Sequence, residues 1–217
     1  MGLKSAHEAL PSPHRTMRTG IRARLLFTRL LGLSALALVL ATASRWSVYG
    51  PHWLGTSMFA SGGVLAVVGF GGRVWALWHI GGRKKRELVR TGPYSACRHP
   101  LYLCSLIGGL GLVLCTQRLT MLALYLVACA LLVPIAIRSE EAFLKENFDD
   151  YDDYRAGVPA LFPRLSWTGS WKGVAVDGPA LRRGLLETAG LLLPMVLMHV
   201  LAGAQRAGST PFLLVLP

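Results

Sequence analysis

The stretch Arg90-Thr-Gly-Pro-Tyr-Ser-Ala-Cys-Arg-His-Pro-Leu-Tyr102 lies between two strongly apolar runs and organises the rest of the chain. Its pair Gly92-Pro93 is typical of a turn. Pro100 suits the first position of a helix, where its missing N–H group costs no hydrogen bond. The stretch therefore predicts a polar segment that enters a membrane span at Leu101. Taken alone, its basic and aromatic side chains are also ordinary anchors at the end of a span.

The composition predicts a membrane protein. Of 217 residues, 53% are hydrophobic and 16% are charged, which is too apolar for a soluble domain of this length. The net charge of +12 raises the alternative of nucleic-acid binding. However, the 23 basic residues fall mostly between apolar runs, as the positive-inside rule expects. We therefore expect a membrane as the partner and no nucleic acid.

Five apolar runs predict an all-α integral-membrane fold with about five transmembrane helices. Basic residues precede the first and third runs, which places the N-terminus and the segment before residue 101 in the cytoplasm. Gln117-Arg118 joins the third and fourth runs in a tight helical hairpin. The predicted spans are Leu25–Ala43, Trp53–Ile80, Leu101–Cys115, Leu119–Ile137 and Leu185–Ala204.

The predicted organisation has four parts. Residues 1–24 form a basic cytoplasmic tail, 25–165 a transmembrane core, 166–184 a cytoplasmic connector, and 185–217 a last span with a short tail. Because Ala41-Thr-Ala43 resembles a signal-peptidase site, a cleaved signal is an alternative for residues 1–43. The long charged lead-in favours a retained span instead.

The second predicted span contains Gly69-Phe-Gly71-Gly72, followed by Arg73. Glycines in a span indicate either close helix packing or a ligand lying against bare backbone. Arg73 is about two turns from the cytoplasmic end, where it either snorkels to the interface or serves a function. The glycines lack the strand-turn-helix context of a soluble dinucleotide fold.

The cysteines at 97, 104, 115 and 129 have no metal-binding spacing, so we expect free thiols and no metal site. Cys97 stands beside Arg98, and a somewhat acidified thiol is the alternative there. The acidic residues at 149, 150, 152 and 153 are typical of a solvated face, because no EF-hand pattern accompanies them.

A second block, Arg138 to Tyr154, follows the fourth span, with Val158-Pro159 shortly after it. If the helix continues beyond the span, an acidic and aromatic stripe folds back over the cytoplasmic face. That stripe would contain Glu140 or Glu141, Leu144, Phe148, Tyr151 and Arg155.

Together, the two blocks resemble the isoprenylcysteine carboxyl methyltransferase and phospholipid methyltransferase superfamily of integral-membrane enzymes, over residues 60–165. The matching motifs are Gly92-Pro93-Tyr94, Arg98-His99-Pro100-Leu101-Tyr102, Glu140-Glu141-Ala-Phe-Leu144, and Tyr151-x-x-Tyr154 with Val158-Pro159. The family usually has Phe-Gly before the last tyrosine pair, whereas here Phe148 is followed by Asp149, with one residue fewer before Tyr151.

The resemblance implies S-adenosylmethionine as the cofactor, bound in a pocket at the cytoplasmic helix ends. It implies cofactor contacts for Gly69, Gly71, Tyr94, His99, Pro100, Tyr102, Glu140, Glu141 and Leu144, and Arg73 and Glu141 are the candidate catalytic residues. Adjacent glutamates on a helix point about 100° apart, so we expect one to face the cofactor and one to brace an arginine. We expect His99 and Glu141 at a wet helix end rather than in the packed interior.

The predicted function is methyl transfer to an amphiphile that enters sideways from the bilayer. A phospholipid amine, an isoprenoid-linked carboxylate and an apolar thiol all satisfy this description. Two alternative functions are those of an NADPH-dependent enzyme similar to sterol reductases and of a non-enzymatic membrane adaptor. The sequence does not decide the oligomeric state.

Overall fold

The computed structural model describes residues 41–44, 50–81 and 87–164, together with isolated positions at 37, 178–179, 182, 185–186, 196–197, 200, 203–204, 207–208 and 214–216. The chain divides into two units, Met1–Ala41 and Thr42–Pro217, and the second contains the long helices and both candidate motifs. The basic tail and most of the predicted first and fifth spans lie outside the described residues, so these remain predictions.

The described residues are mostly helical. In chain order the elements are β1 (Thr42–Ser44), α1 (His52–Ile80), α2 (Pro93–Ala96), α3 (Pro100–Cys115), α4 (Leu119–Asn147), α5 (Tyr151–Gly157) and β2 (Leu214–Leu216). The two strands pair in parallel, Thr42 opposite Leu214, and form a two-stranded sheet. The predominance of helix agrees with the predicted class, and the two strands of three residues each are a small addition to it. Strand β1 takes the last two residues of the predicted first span.

Two of these helices, over Trp53–Ile80 and Leu119–Asn147, are long and apolar enough to cross a membrane. Helix α3 is apolar but has 16 residues, or about 24 Å at 1.5 Å per residue, less than the roughly 30 Å hydrocarbon core. Apolar side chains on α1 and α4 are exposed, among them Val64, Leu131 and Ile135. Such a surface suits a lipid environment.

Helices α1 and α3 pack through small residues, which is the packing that lipid-embedded helices favour. A Cβ atom added at Gly69 would lie 2.2 Å from the backbone nitrogen of Gly108, and one at Gly111 would lie 2.3 Å from that of Ala66. Neither position admits any side chain. This antiparallel seam runs from Gly62 towards the polar segment that follows α1, and it sets the distance between the helices.

The predicted hairpin between α3 and α4 is confirmed, and Thr116–Arg118 form its turn. Gln117 has a φ of 57°, a left-handed conformation that is uncommon for residues other than glycine. Its buried side chain donates from Nε2 to the Gly55 carbonyl at 2.6 Å, and the Arg118 guanidinium donates to the Thr42 carbonyl. These bonds tie the turn to α1 and β1.

Helix α4 continues past the predicted span end at Ile137 to Asn147. At about 43 Å it exceeds the hydrocarbon core, and its last turns project beyond it. The prediction of one continuous helical stripe from Glu140 to Arg155 was wrong, because the helix ends at Asn147 and the next residue, Phe148, is extended (φ −139°, ψ 111°). Helix α5 then begins at Tyr151 after an Asp149-Asp150 turn, so the aromatic pair occupies a separate helix.

Candidate functional site

The turn at Gly92-Pro93 places Tyr94 between α1 and α3. Gly92 has a φ of 62°, and an added Cβ atom would lie 2.2 Å from Cδ2 of His79, so only glycine fits. Tyr94 packs with Ala76 and Val89 in a small core at the end of α1. Both the backbone conformation and the close approach of His79 fix where the following motif begins.

Helix α3 begins at Pro100, as predicted, and His99 is the residue that caps it. The segment that carries Val158-Pro159 lies alongside this start. The backbone N–H groups of Arg98 and His99 donate to the carbonyls of Pro159 (2.9 Å) and Ala160 (3.0 Å), and that of Arg164 donates to Ala96. The chain from 158 to 164 is therefore a strap bonded to the first motif.

The two glutamates at the end of α4 contact the first motif through different partners. Glu141 Oε1 lies 3.1 Å from Arg98 Nη2 and 3.3 Å from His99 Nε2, while Glu140 Oε2 lies 3.6 Å from His99 Nδ1. Glu141 thus braces an arginine, as expected of one glutamate. The side chain of Glu141 is 16% exposed and that of Glu140 is 35% exposed, so Glu140 is the more accessible carboxylate.

Helix α5 contributes two buried tyrosines that do not belong to the predicted site set. The Tyr154 hydroxyl donates to the Tyr94 carbonyl at 2.6 Å, and the Tyr151 and Tyr154 rings meet edge to face. Arg90 lies over the Tyr154 ring, with Cζ 5.8 Å from its centroid, and donates to the Asp150 carbonyl at 2.8 Å. Arg90 thereby holds the break between α4 and α5. The only sequence signal for this role of Arg90 was a positive charge just before the Gly92-Pro93 turn.

Burial governs the proton affinities at this junction. It raises the pKa of Tyr94 and of Tyr154 well above the usual tyrosine range, with Glu140 adding to the effect on Tyr94. Burial, followed by the negative charge of Glu141, raises the pKa of Tyr151 to about 12. Burial also raises the pKa of Cys97 to about 11, so the alternative of an acidified thiol was wrong.

Most of the predicted cofactor residues converge at this end of the helices. The rings of His99 and Tyr102 meet edge to face, with their centroids 5.7 Å apart. The two ring nitrogens of His99 contact the two glutamates, Nδ1 that of Glu140 and Nε2 that of Glu141. Leu144 is half buried on α4, one turn after Glu140. The predicted wet position of His99 was wrong, because its side chain is buried beneath these partners.

The three residues predicted from the second span occupy different surroundings. Gly69 lies in the α1–α3 seam against Gly108 and thus has a packing role. Gly71 is exposed, and an added Cβ atom would meet nothing within 4 Å. Arg73 donates from Nη1 to the Ser105 hydroxyl at 2.6 Å. Ser105 lies on α3, farther from the start of that helix than His99. The structure therefore does not join these three to the motif residues by direct contact.

Three buried polar atoms of the first motif have no hydrogen-bond partner among residues 41–44, 50–81 and 87–164. They are the Tyr94 hydroxyl and the Nε and Nη1 atoms of Arg98. Buried polar groups in proteins nearly always have a partner. A polar ligand bound beside the motif would supply it, and in this respect the residues fit a cofactor with hydroxyl, amine and carboxylate groups. In the described part of the chain, no group of three or more His, Cys, Asp or Glu is placed to hold a metal ion.

The phospholipid methyltransferase family model matches residues 51–151, which extend from α1 to the start of α5. The nickel-cobalt-cadmium resistance protein NccN of Alcaligenes xylosoxydans xylosoxydans is 34% identical over 209 residues, covering 96% of each chain. The cobalt-zinc-cadmium resistance protein CzcN of Cupriavidus metallidurans is 41% identical over 131 residues, covering 60% of this chain and 59% of CzcN. No solved structure matches the chain. With its two motifs converging at one end of the helices, the chain belongs to the isoprenylcysteine carboxyl methyltransferase and phospholipid methyltransferase superfamily of membrane proteins.

Proposed function

We propose that the protein is an S-adenosylmethionine-dependent methyltransferase that acts on a membrane-embedded amphiphile. The observation that carries the proposal is the convergence of two motifs 42 positions apart on His99 and Glu141, beside buried polar atoms that lack partners. A packing role alone would not require unsatisfied donors there, because each costs about 1–3 kcal/mol.

The cofactor supplies a methyl group already activated by its sulfonium. The chain therefore has to bind, orient and exclude water rather than supply a strong base. Glu140, the more accessible carboxylate, accepts hydrogen bonds from an ammonium or ribose hydroxyl. Tyr102 offers a ring face to a cation, and Tyr94 offers its hydroxyl, which lacks a hydrogen-bond partner among the described residues. Pro100 and Leu144 provide apolar contact, and Gly71 leaves backbone open to a ligand.

Glu141 and Arg73 have different proposed roles. Glu141 holds Arg98 and His99 in place, which fixes the donors that face the cofactor. Arg73 lies on α1 and faces Ser105 of α3, deeper in the helix pair than His99, and it contacts the acceptor. An amphiphile that enters sideways from the bilayer can contact Arg73 while its reacting group lies near His99 and Glu141, and its apolar chain stays in the lipid. This supports a lipid-like acceptor over a water-soluble one.

Labelled S-adenosylmethionine supplied to membranes containing the protein tests the proposal. We expect label in a lipid-extractable product with wild-type protein, and at least about tenfold less label with Glu141→Gln at equal expression and a cofactor concentration below the Kd of the variant. Binding of NADPH without binding of S-adenosylmethionine would instead support the reductase alternative. Full biological function of the Glu141→Gln and His99→Ala variants would support a non-enzymatic adaptor.

The names of the two relatives suggest a physiological setting. We propose that methylation of a membrane amphiphile contributes to resistance against nickel, cobalt or cadmium, the metals in the name of NccN, which aligns with 96% of this chain. A strain from which the gene has been deleted should grow poorly at raised metal concentration. Wild-type protein should restore growth, and an equally expressed Glu141→Gln variant should not. Equal protection by both would reject this role for methylation.

A further inference from the structure

Arg73 is a charged residue within an apolar helix whose charge no described carboxylate neutralises. Its Nη1 donates to Ser105 Oγ at 2.6 Å across the α1–α3 seam. Its Nε is buried and has no hydrogen-bond partner within the described ranges, and no Asp or Glu there forms an ion pair with it. Because charges within a membrane are almost always paired or functional, the guanidinium retains the capacity to bind an anion.

Ser105 holds this guanidinium without neutralising it. Its hydroxyl lies 2.6 Å from the Leu101 carbonyl, one turn earlier on α3, and donates its single proton there. Its lone pairs are therefore available to the Arg73 N–H group. The carbonyl of Leu101 orients the hydroxyl, and the hydroxyl orients the arginine.

We infer that Arg73 and Ser105 form a binding site for the anionic group of the acceptor, with Ser105 as a positioning residue. This inference rests on the proposed methyl transfer and narrows its acceptor to an anionic amphiphile, excluding a neutral apolar thiol. A guanidinium matches both a phosphate and a carboxylate in a two-pronged hydrogen bond. Ser105 is five residues beyond Pro100, so the anion lies about 7.5 Å along the helix from its polar end. At this depth the acyl or isoprenoid chain stays within the lipid.

Binding to the purified full chain in detergent micelles, without cofactor, tests the site directly. The probes are matched pairs: phosphatidic acid against diacylglycerol with the same acyl chains, and palmitate against hexadecanol. We expect the wild type to bind at least one anionic member more than tenfold tighter than its neutral partner. Arg73→Gln should remove the preference, and the pair that shows it identifies phosphate or carboxylate as the preferred group.

Ser105→Ala should weaken binding of the preferred anion about three- to tenfold, as expected for one lost hydrogen bond. Ser105→Thr should restore it, because a helical threonine hydroxyl also reaches the carbonyl one turn earlier. Ser61→Ala is the matched control, since the Ser61 hydroxyl bonds the Met58 carbonyl on an exposed part of α1. In turnover, Ser105→Ala should raise KM for the anionic acceptor and leave the cofactor Kd unchanged, whereas a merely structural defect moves both.

Equal binding of the charged and neutral probes by the wild type, or wild-type behaviour of Ser105→Ala, would overturn the site. These results do not depend on methyl transfer, so they leave the proposed enzymatic function standing. Conversely, an intact anion preference with no transfer of labelled methyl would reject the enzymatic function, and the site would then be a binding site for an anionic lipid.

Discussion

His99 Nε2 lies 3.3 Å from Glu141 Oε1, and this contact joins the start of α3 to the C-terminal part of α4. The same carboxylate oxygen lies 3.1 Å from Arg98 Nη2. One carboxylate thus serves two neighbouring residues of the first motif, and all three side chains are largely buried. Removal of one partner from such a group leaves the others desolvated and unpaired.

Glu141→Gln should therefore weaken cofactor binding by about one to two decades, as expected for a lost charge-assisted hydrogen bond worth about 1.5–3 kcal/mol. Isothermal titration of the purified variant measures this. His99→Ala should lose affinity too and should also lower the unfolding temperature, because His99 is buried. Glu146→Gln, an exposed change on the same helix, is the control. Cofactor affinity equal to wild type in both site variants would reject the assignment.

Tyr154→Phe should destabilise the junction between α5 and the first motif. It removes the donor to the buried Tyr94 carbonyl, and an unsatisfied buried acceptor costs about 1–3 kcal/mol. Thermal unfolding should shift down, and cofactor affinity should fall with it. Tyr125→Phe removes a comparable bond, to the Leu106 carbonyl between α3 and α4, so it should lower stability alone. The same loss of cofactor affinity in Tyr125→Phe would contradict a local role for Tyr154.

Alanine substitutions of Gly69 and Gly71 should separate packing from ligand contact. Gly69→Ala should prevent assembly of the α1–α3 seam, since the new Cβ atom would overlap the Gly108 backbone. Gly71→Ala meets open space and should keep the unfolding temperature, or raise it through the better helix propensity of alanine. If Gly71 contacts the cofactor or acceptor, this stable variant should still lose activity. Full activity of Gly71→Ala would remove it from the site.

The raised pKa of Cys97 predicts an alkaline limit to stability. The folded pKa of about 11 exceeds the ordinary value of 9.0, so the folded state holds its proton more tightly than the unfolded state. This contribution to stability is fully present below about pH 9 and is lost as the pH rises through about 11. The unfolding temperature should fall across this window, and less steeply in Cys97→Ala. Rapid maleimide labelling of Cys97 in the folded protein at pH 7.5 would contradict the buried, neutral thiol.

Both motifs should face the cytoplasm, as the distribution of lysine and arginine predicts. Reporter fusions after residues 90 and 160 should each report that compartment. The backbone bond between His99 and Ala160 requires these two segments to lie on the same side. Opposite signals from the two fusions would therefore reject the shared site, while two external signals would reject only the orientation.

The sequence by itself determined the features that depend on local chemistry. Apolar runs predicted α1, α3 and α4 closely, because burial in lipid requires length and hydrophobicity whatever the neighbours are. Pro100 marked the start of α3 and Gln117-Arg118 the hairpin, since local backbone preferences decide both. The spacing of the two motifs identified the family, and the pair Glu140-Glu141 predicted that one glutamate would brace an arginine.

Only the tertiary structure decided what depends on contacts between distant residues. It assigned Gly69 to the seam and left Gly71 open, although the two glycines are alike in sequence, because only the facing helix distinguishes them. It buried His99, reversing the expected wet imidazole, and it buried Cys97, which rejected the alternative of an acidified thiol, since burial depends on segments 40 to 60 residues away. It also paired Arg73 with Ser105, a serine with no motif of its own, because helix packing rather than sequence spacing brings their side chains within hydrogen-bond distance.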